Sequence, residues 1–209
     1  MTVSAEVKLL DQNTANQIAA GEVVEKPASV VKELVENALD AGAGKIDVTI
    51  FEGGTQYIRV ADDGSGMTEA KDKLAVLRHA TSKIRAAEEL MSLHTLGFRG
   101  EEWPSIASVS NFQLLTRPAD EEFATSIRID GGEQTECQQT GGQAGTTVIV
   151  ENLFFNVPAR RKFLRTNATE GRYINELLTR LALSRPDVRF QLVSNDQDVW
   201  RTTGKDSLL

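Results

Sequence analysis

Apolar residues recur at helical spacing through Val30, Val31, Leu34, Val35, Ala38 and Leu39, which predicts one amphipathic helix. Pro27 sits near its first turn, where a missing N–H costs nothing, and Gly42 supplies a stop. The period then changes to two. Ile46, Val48 and Ile50 alternate with polar residues as in a half-buried strand, Gly53-Gly54 turns the chain, and Tyr57–Ala61 returns as the hairpin partner. Further strands are predicted at Phe112–Thr116, Thr125–Ile129, Thr146–Val150, Val188–Val193 and Val199–Thr202, with Gly131-Gly132 and Gly141-Gly142 as turns. A second long helix is expected over Glu170–Ser184, with Ile174, Leu177, Leu178 and Leu181 on one face. Shorter helices are read from Asn13 or Thr14 to Ala20, from Thr68 or Glu69 to Ala80, and from Pro104 to Val109. Residues 81–103 carry no sustained period, which points either to a mis-assigned element or to a functional segment such as a lid.

Composition narrows the classes. A chain of 209 residues, 40% hydrophobic and 25% charged, suits one globular domain with a real core. A single cysteine, Cys137, excludes an intramolecular disulfide and a cysteine zinc site, and two histidines argue against a histidine-rich metal centre. The net charge of −7 argues against tight nucleic-acid binding by bulk charge. Only a local patch, Arg160, Arg161, Lys162 and Arg165, is a candidate for weak DNA contact, and it equally fits a solvated helix face. With no run of 18 apolar residues and no basic-then-apolar leader pattern, a cytoplasmic protein without membrane contact is expected.

Three stretches carry candidate chemistry. Glu33 and Asn37 are four apart, so their side chains lie one turn apart on one helix face. A carboxylate can take a proton from water, and an amide carbonyl suits Mg²⁺, though the same pattern fits an ordinary solvated face. Asp62-Asp63-Gly64-Ser65-Gly66 follows a strand; its glycines let backbone approach a ligand, and an aspartate there can accept from an exocyclic amine, or simply form a tight turn. Gly97-Phe98-Arg99-Gly100-Glu101 is a glycine-flanked loop whose N–H groups could cradle phosphate, with Lys83 as a further phosphate candidate. Gly44-Lys45 and Gly204-Lys205 lack the spacing and the hydroxyl residue of a P-loop, and no GxGxxG follows a strand.

Taken in order, Glu33-x-x-x-Asn37, Asp62-x-Gly64-x-Gly66, the glycine-rich lid and Gly145-Thr146-Thr147 resemble the GHKL ATPase superfamily. The segments Ile18–Val24, Lys32–Gly42, His79–Lys83, Gly97–Glu101 and Asn156–Leu164 look most like its MutL branch of DNA mismatch-repair ATPases. The resemblance implies an α+β two-layer sandwich, a mixed sheet with helices on one face. It divides the chain into an N-terminal arm and first helix (1–20), the ATPase domain (21–204) and a tail (205–209) that stops before a second, transducer domain. It also implies Mg²⁺-dependent ATP binding and hydrolysis as a nucleotide switch in mismatch repair. Glu33 would be the general base, Asn37 the Mg²⁺ ligand, and Asp62, helped by Thr147, the group that selects adenine. Gly64, Gly66, Met67, Thr81, Ser82, Lys83, Leu96, Gly97, Phe98, Arg99, Gly100 and Glu101 would surround the ribose and phosphates. Expected partners are a second subunit in an ATP-dependent homodimer, a mismatch-recognition protein and other repair factors.

The family usually carries Ala-Leu after the lid glutamate, where this chain has Glu102-Trp103. A carboxylate about 6 Å from a phosphate charge, at an effective dielectric of about 20, costs roughly 3 kcal/mol before screening. Trp103 is expected to overpack the lid's anchor. Without the transducer domain's lysine, turnover by this chain should be slow. The alternative is a nucleotide-gated interaction module with negligible turnover. A histidine-kinase catalytic domain is disfavoured by the Asn156–Leu164 segment.

Overall fold

Strand alternation builds one face of a single sheet, and that face holds the core. The computed structural model describes residues 24–68 and 102–205. Expectations for the N-terminal arm and first helix, the helix ending at Ala80, Thr81, Ser82, Lys83, the lid Leu96–Glu101, the Glu102 side chain and the last four residues lie outside the described residues.

Helix α1 (Pro27–Asp40) opens with proline in its first turn and buries Val30, Val31, Leu34, Val35, Ala38 and Leu39. β1 (Lys45–Phe51), a 3-10 turn (Glu52–Gly54) and β2 (Tyr57–Asp62) form the expected hairpin. After the undescribed segment come α2 (Glu102–Ala107), β3 (Asn111–Arg117), β4 (Ala124–Asp130), β5 (Glu133–Thr140) and β6 (Gly145–Glu151). The chain closes with α3 (Pro158–Phe163), α4 (Asn167–Ser184), β7 (Arg189–Ser194) and β8 (Gln197–Arg201). The eight strands run in the order β5-β4-β3-β6-β2-β1-β7-β8. All neighbours are antiparallel except β1 and β7, so the sheet is mixed, as expected. The parallel pair needs a crossover, and α4 supplies it directly before β7.

Register converts the alternation into cross-strand rows. Ile50, Ile58, Val150, Phe112 and Ile129 form one row, and Val48, Val60, Val148, Leu114 and Ile127 the next, all buried. Residues of α1 and α4, among them Val31, Leu34, Ile174 and Leu178, share that core. The next row, one step toward the C-terminal end of β2, reads Ile46, Asp62, Thr146, Thr116 and Thr125, and is polar at four of its five positions. Among the described residues no helix is long and apolar enough to cross a membrane.

One difference from the sequence reading has a physical cause. Glu133–Thr140 has no apolar alternation and so predicts no strand, yet it forms β5. It is an edge strand with neither face buried, held by backbone pairing to β4, and it carries the exposed Cys137. Trp103 joins the core at 9% exposure, its ring centroid 6.2 Å from that of Phe112, while the lid whose anchor it is expected to overpack lies outside the described residues.

Among the described residues, the buried Trp103 Nε1 has no hydrogen-bond partner. An unsatisfied buried donor costs about 1–3 kcal/mol, comparable with the apolar burial forgone on trimming indole to phenyl. Trp103→Phe is therefore expected to leave the urea midpoint unchanged or raise it. A destabilisation of more than about 2 kcal/mol, beyond what the smaller ring explains, would show that the indole N–H is satisfied in solution.

Candidate functional site

The site grows from the end of β2, where the alternation that buries Ile58 and Val60 turns Asp62 to the same face. Asp62 Oδ1 accepts the Gly64 N–H at 2.8 Å, closing a tight turn after the strand. Burial is the largest influence on this carboxyl and pushes its pKa up to about 6, opposed by the backbone N–H groups of Gly64 and Thr146 and reinforced by the neighbouring charge of Asp63. Asp62 is thus a half-buried acceptor on the helix-facing side of the sheet.

The partner of Asp62 on β6 is Thr146, in phase with Val148 and Val150. Thr147, the residue expected beside Asp62, pairs instead with Ala61 and points to the opposite face. A shift of one residue in a strand exchanges faces, so the hydroxyl beside Asp62 belongs to Thr146. The buried Val148 and Val150 held the signal, since counting back in twos reaches Thr146. Thr116 of β3, which the sequence reading missed, completes the row: its Oγ1 lies 3.0 Å from Thr146 Oγ1 and 3.2 Å from the Gly145 carbonyl oxygen.

The loop after Asp62 is pinned on both sides. On one side Asp63 Oδ1 accepts the N–H groups of Gly44 and Lys45 at 2.8 and 2.7 Å, and the Ser65 N–H donates to the Ala41 carbonyl at 3.0 Å. These bonds stitch the loop to the C-terminal end of α1. On the other side the Met67 N–H donates to Thr116 Oγ1 at 3.0 Å. Two glycines permit this packing. A Cβ on Gly64 would stand 2.9 Å from both Ala41 Cβ and Asp62 Oδ1, and Gly66 has φ +63° with Arg117 and Pro118 backbone against it.

On α1, Glu33 and Asn37 flank the buried stripe, and both are half-buried. Asn37 Nδ2 donates to Glu33 Oε1 at 3.5 Å, a long bond that holds the two groups one turn apart on one face. The amide nitrogen is thereby directed at Glu33, and the amide's carbonyl oxygen is the kind of donor hard divalent cations take. No group of three or more His, Cys, Asp or Glu able to hold a metal exists among the described residues. Mg²⁺ keeps several waters and takes oxygens from one or two side chains and from phosphate, and Asn37 could supply one of these. The donor chemistry of Asn37 fits Mg²⁺ brought with a nucleotide.

The basic segment divides. Arg160 is drawn inward, donating from Nη1 to the Val24 carbonyl at 2.6 Å with its guanidinium 5.7 Å from the Phe154 ring centroid. Arg161, Lys162 and Arg165 are exposed. The four expected cations thus do not form one outward patch.

The site thus joins a half-buried aspartate at a strand end to a Glu–Asn pair on the adjacent helix, on a sheet with helices on one face. The family model described as histidine kinase-, DNA gyrase B- and HSP90-like ATPase matches residues 25–143, and the chain belongs to that family. It is 56% identical over 204 residues to the DNA mismatch repair protein MutL of Symbiobacterium thermophilum, covering 98% of this chain and 32% of that one. It is 54% identical to the MutL of Heliobacterium modesticaldum, covering 97% and 31%. The chain therefore spans about a third of the length of these relatives. Among solved structures, it superposes on the Aquifex aeolicus MutL ATPase domain complexed with ADP with a TM-score of 0.71 and 35% identity, over 88% of this chain and 66% of that one.

The position of Asp62 has a consequence for stability. Its pKa rises on folding from 3.8 to about 6, so the native state holds this proton more tightly than the unfolded chain. Its contribution is most favourable below about pH 4 and is lost as pH rises through about 6; a shift of roughly two units corresponds to at most about 3 kcal/mol. Asp62→Asn, which keeps an oxygen for the Gly64 N–H, should be more stable than the parent above pH 7, with the gap closing below pH 4. Urea denaturation of both across pH 4–8 reads this, and a gap independent of pH would contradict it.

Proposed function

We propose that this chain binds ATP with Mg²⁺ and hydrolyses it, acting as a nucleotide switch in DNA mismatch repair. The observation that carries the reading is Asp62: a half-buried carboxylate at the helix-facing end of the sheet, tied through its loop to the helix that bears Glu33 and Asn37. In this reading Asp62 accepts the exocyclic amine of adenine, with Thr146 beside it rather than Thr147. Gly64, Gly66 and Met67 line the nucleoside, and Asn37 contributes an oxygen to Mg²⁺. Glu33 accepts the proton of the attacking water, one helical turn from the metal ligand. Mg²⁺ supplies charge neutralisation at the phosphates. Thr81, Ser82, Lys83 and the lid Leu96–Glu101 complete the phosphate side.

The relatives' names support mismatch repair as the setting, and a cytoplasmic location, an ATP-dependent homodimer and contact with a mismatch-recognition protein follow as parts of the proposal. Turnover by a chain of this span is expected to be slow, because the site is completed by a second domain in this reading. Direct DNA contact rests on Arg161, Lys162 and Arg165 and is weak at most, given the net charge of −7.

Calorimetry with ATP and with GTP in Mg²⁺, on the parent and on Asp62→Asn, tests the base pocket. The parent should bind ATP in preference to GTP, and Asp62→Asn should lose that preference. Equal binding of both nucleotides by the parent would overturn the assignment of Asp62.

Glu33→Gln tests the chemistry. It keeps the shape and should keep ATP affinity within about threefold while lowering turnover by about 10²-fold or more, the usual scale for a lost general base. Turnover that survives this change would favour a base elsewhere. A parent that binds ATP but never turns it over would favour the nucleotide-gated interaction module.

A further inference from the structure

We propose that Thr116, a buried threonine outside the expected nucleotide set, fixes the direction of the Thr146 hydroxyl and so makes the base pocket selective for a 6-amino purine. The inference rests on Asp62 being the base-recognition group. Thr116 is 1% exposed, and its Oγ1 has three polar neighbours: the Met67 N–H at 3.0 Å, the Gly145 carbonyl at 3.2 Å and Thr146 Oγ1 at 3.0 Å.

A threonine hydroxyl has one proton and two lone pairs. The Met67 N–H can only donate, so Thr116 accepts there. The Gly145 carbonyl can only accept, so Thr116 gives its one proton there. The remaining contact is then a hydrogen bond only if Thr146 is the donor. Every group is satisfied in this assignment. In the reverse one, the Gly145 contact carries no hydrogen. With its proton committed to Thr116, Thr146 has only lone pairs to offer elsewhere.

Thr146 and Asp62 are direct cross-strand partners on the same face. The end of the sheet therefore presents acceptors from both strands, a carboxylate and a proton-committed hydroxyl. Such a pair suits a ligand edge that donates, directly or through a water, as the amine of adenine does. It opposes an edge that carries a carbonyl at the same position, as hypoxanthine and guanine do, because acceptors would face an acceptor. Thr116 touches no ligand in this arrangement and acts as a positioning residue through Thr146. Its Met67 bond adds a second link, since the same oxygen anchors the end of the Asp62–Gly66 loop.

The test compares ATP with inosine triphosphate, which exchanges the amine for a carbonyl and leaves ribose and phosphates alone. Affinities are measured by calorimetry with Mg²⁺ on the parent chain, Thr116→Val, Thr116→Ser and Asp62→Asn. The parent should prefer ATP by about tenfold or more, the scale of one well-placed hydrogen bond. Thr116→Val frees the Thr146 proton and should cut the preference to about threefold or less, chiefly by letting Thr146 turn toward the inosine carbonyl. Thr116→Ser keeps the hydroxyl and should keep the preference. A preference unchanged in Thr116→Val, or equal weakening of both nucleotides, overturns the proposal, because a purely structural threonine would give that result. If Thr116→Val does not fold, Thr146→Val removes the presented acceptor itself, and an unchanged preference there is equally fatal. Failure of the underlying reading looks different: then Asp62→Asn also leaves the ratio of the parent untouched.

Discussion

Asp62 stands where the pattern of the sheet calls for an aliphatic residue. Ile58 and Val60 precede it on the same face of β2, each paired with a valine of β6, and the next step of that ladder is a carboxylate paired with a threonine. The rest of the site follows from accommodating that group. Its oxygen needs a donor, which the Gly64 N–H supplies, and the donor needs a turn tight enough that a side chain at position 64 would collide with Ala41. The turn brings Asp63 and Ser65 against the end of α1, and Met67 against Thr116. One polar substitution in an apolar ladder thus sets loop, helix end and neighbouring strand in a single arrangement.

That arrangement explains how residues far apart in sequence come to share a site. Glu33 and Asn37 precede Asp62 by more than twenty positions and lie on a different element. Their helix is located by burial of one stripe against the sheet, which fixes where the flanking positions Glu33 and Asn37 stand. The hydrogen bonds from Gly44, Lys45 and Ser65 to Asp63 and Ala41 then couple the helix end to the strand end. In the proposed reading the base-recognition group Asp62 and the Glu33–Asn37 pair are thus held by one set of backbone bonds and move together. This is the property a nucleotide switch requires of its rigid half.

Much of this is legible in the sequence because burial writes a period. The stripe from Val30 to Leu39 and the alternations at Ile46–Ile50 and Thr146–Val150 identify elements within about three residues of their observed bounds. Where no face is buried, no period is written, and β5 leaves no mark for that reason. The site is legible in type more than in orientation. Motif resemblance picks out the Gly145-Thr146-Thr147 stretch but not which of its threonines pairs with Asp62, since adjacent residues of the same kind differ only in which face of the strand they occupy. Thr116 is invisible because a lone threonine in a strand is ordinary, and its role exists only through pairing with β6. Arg160 shows the converse: four cations close in sequence read as one patch, yet a nearby carbonyl and aromatic ring take one of them inward.

The polar row also says why such a site stays where it is. Replacing Asp62, Thr146 and Thr116 by aliphatic residues would extend the apolar ladder by one step, and burial of matched hydrocarbon is more stabilising than burial of a carboxyl held near its titration range. The row therefore carries a standing cost to the fold, met only in part by the backbone N–H groups of Gly64 and Thr146, and in the proposed reading an adenine amine would add a further donor to the carboxylate. In the proposed reading a base bound there would act at the point where β2, β3, β6 and the end of α1 meet. A site placed at an outer edge of the sheet, such as β5 or β8, would bind with less penalty and transmit less, since only one neighbouring strand would feel it.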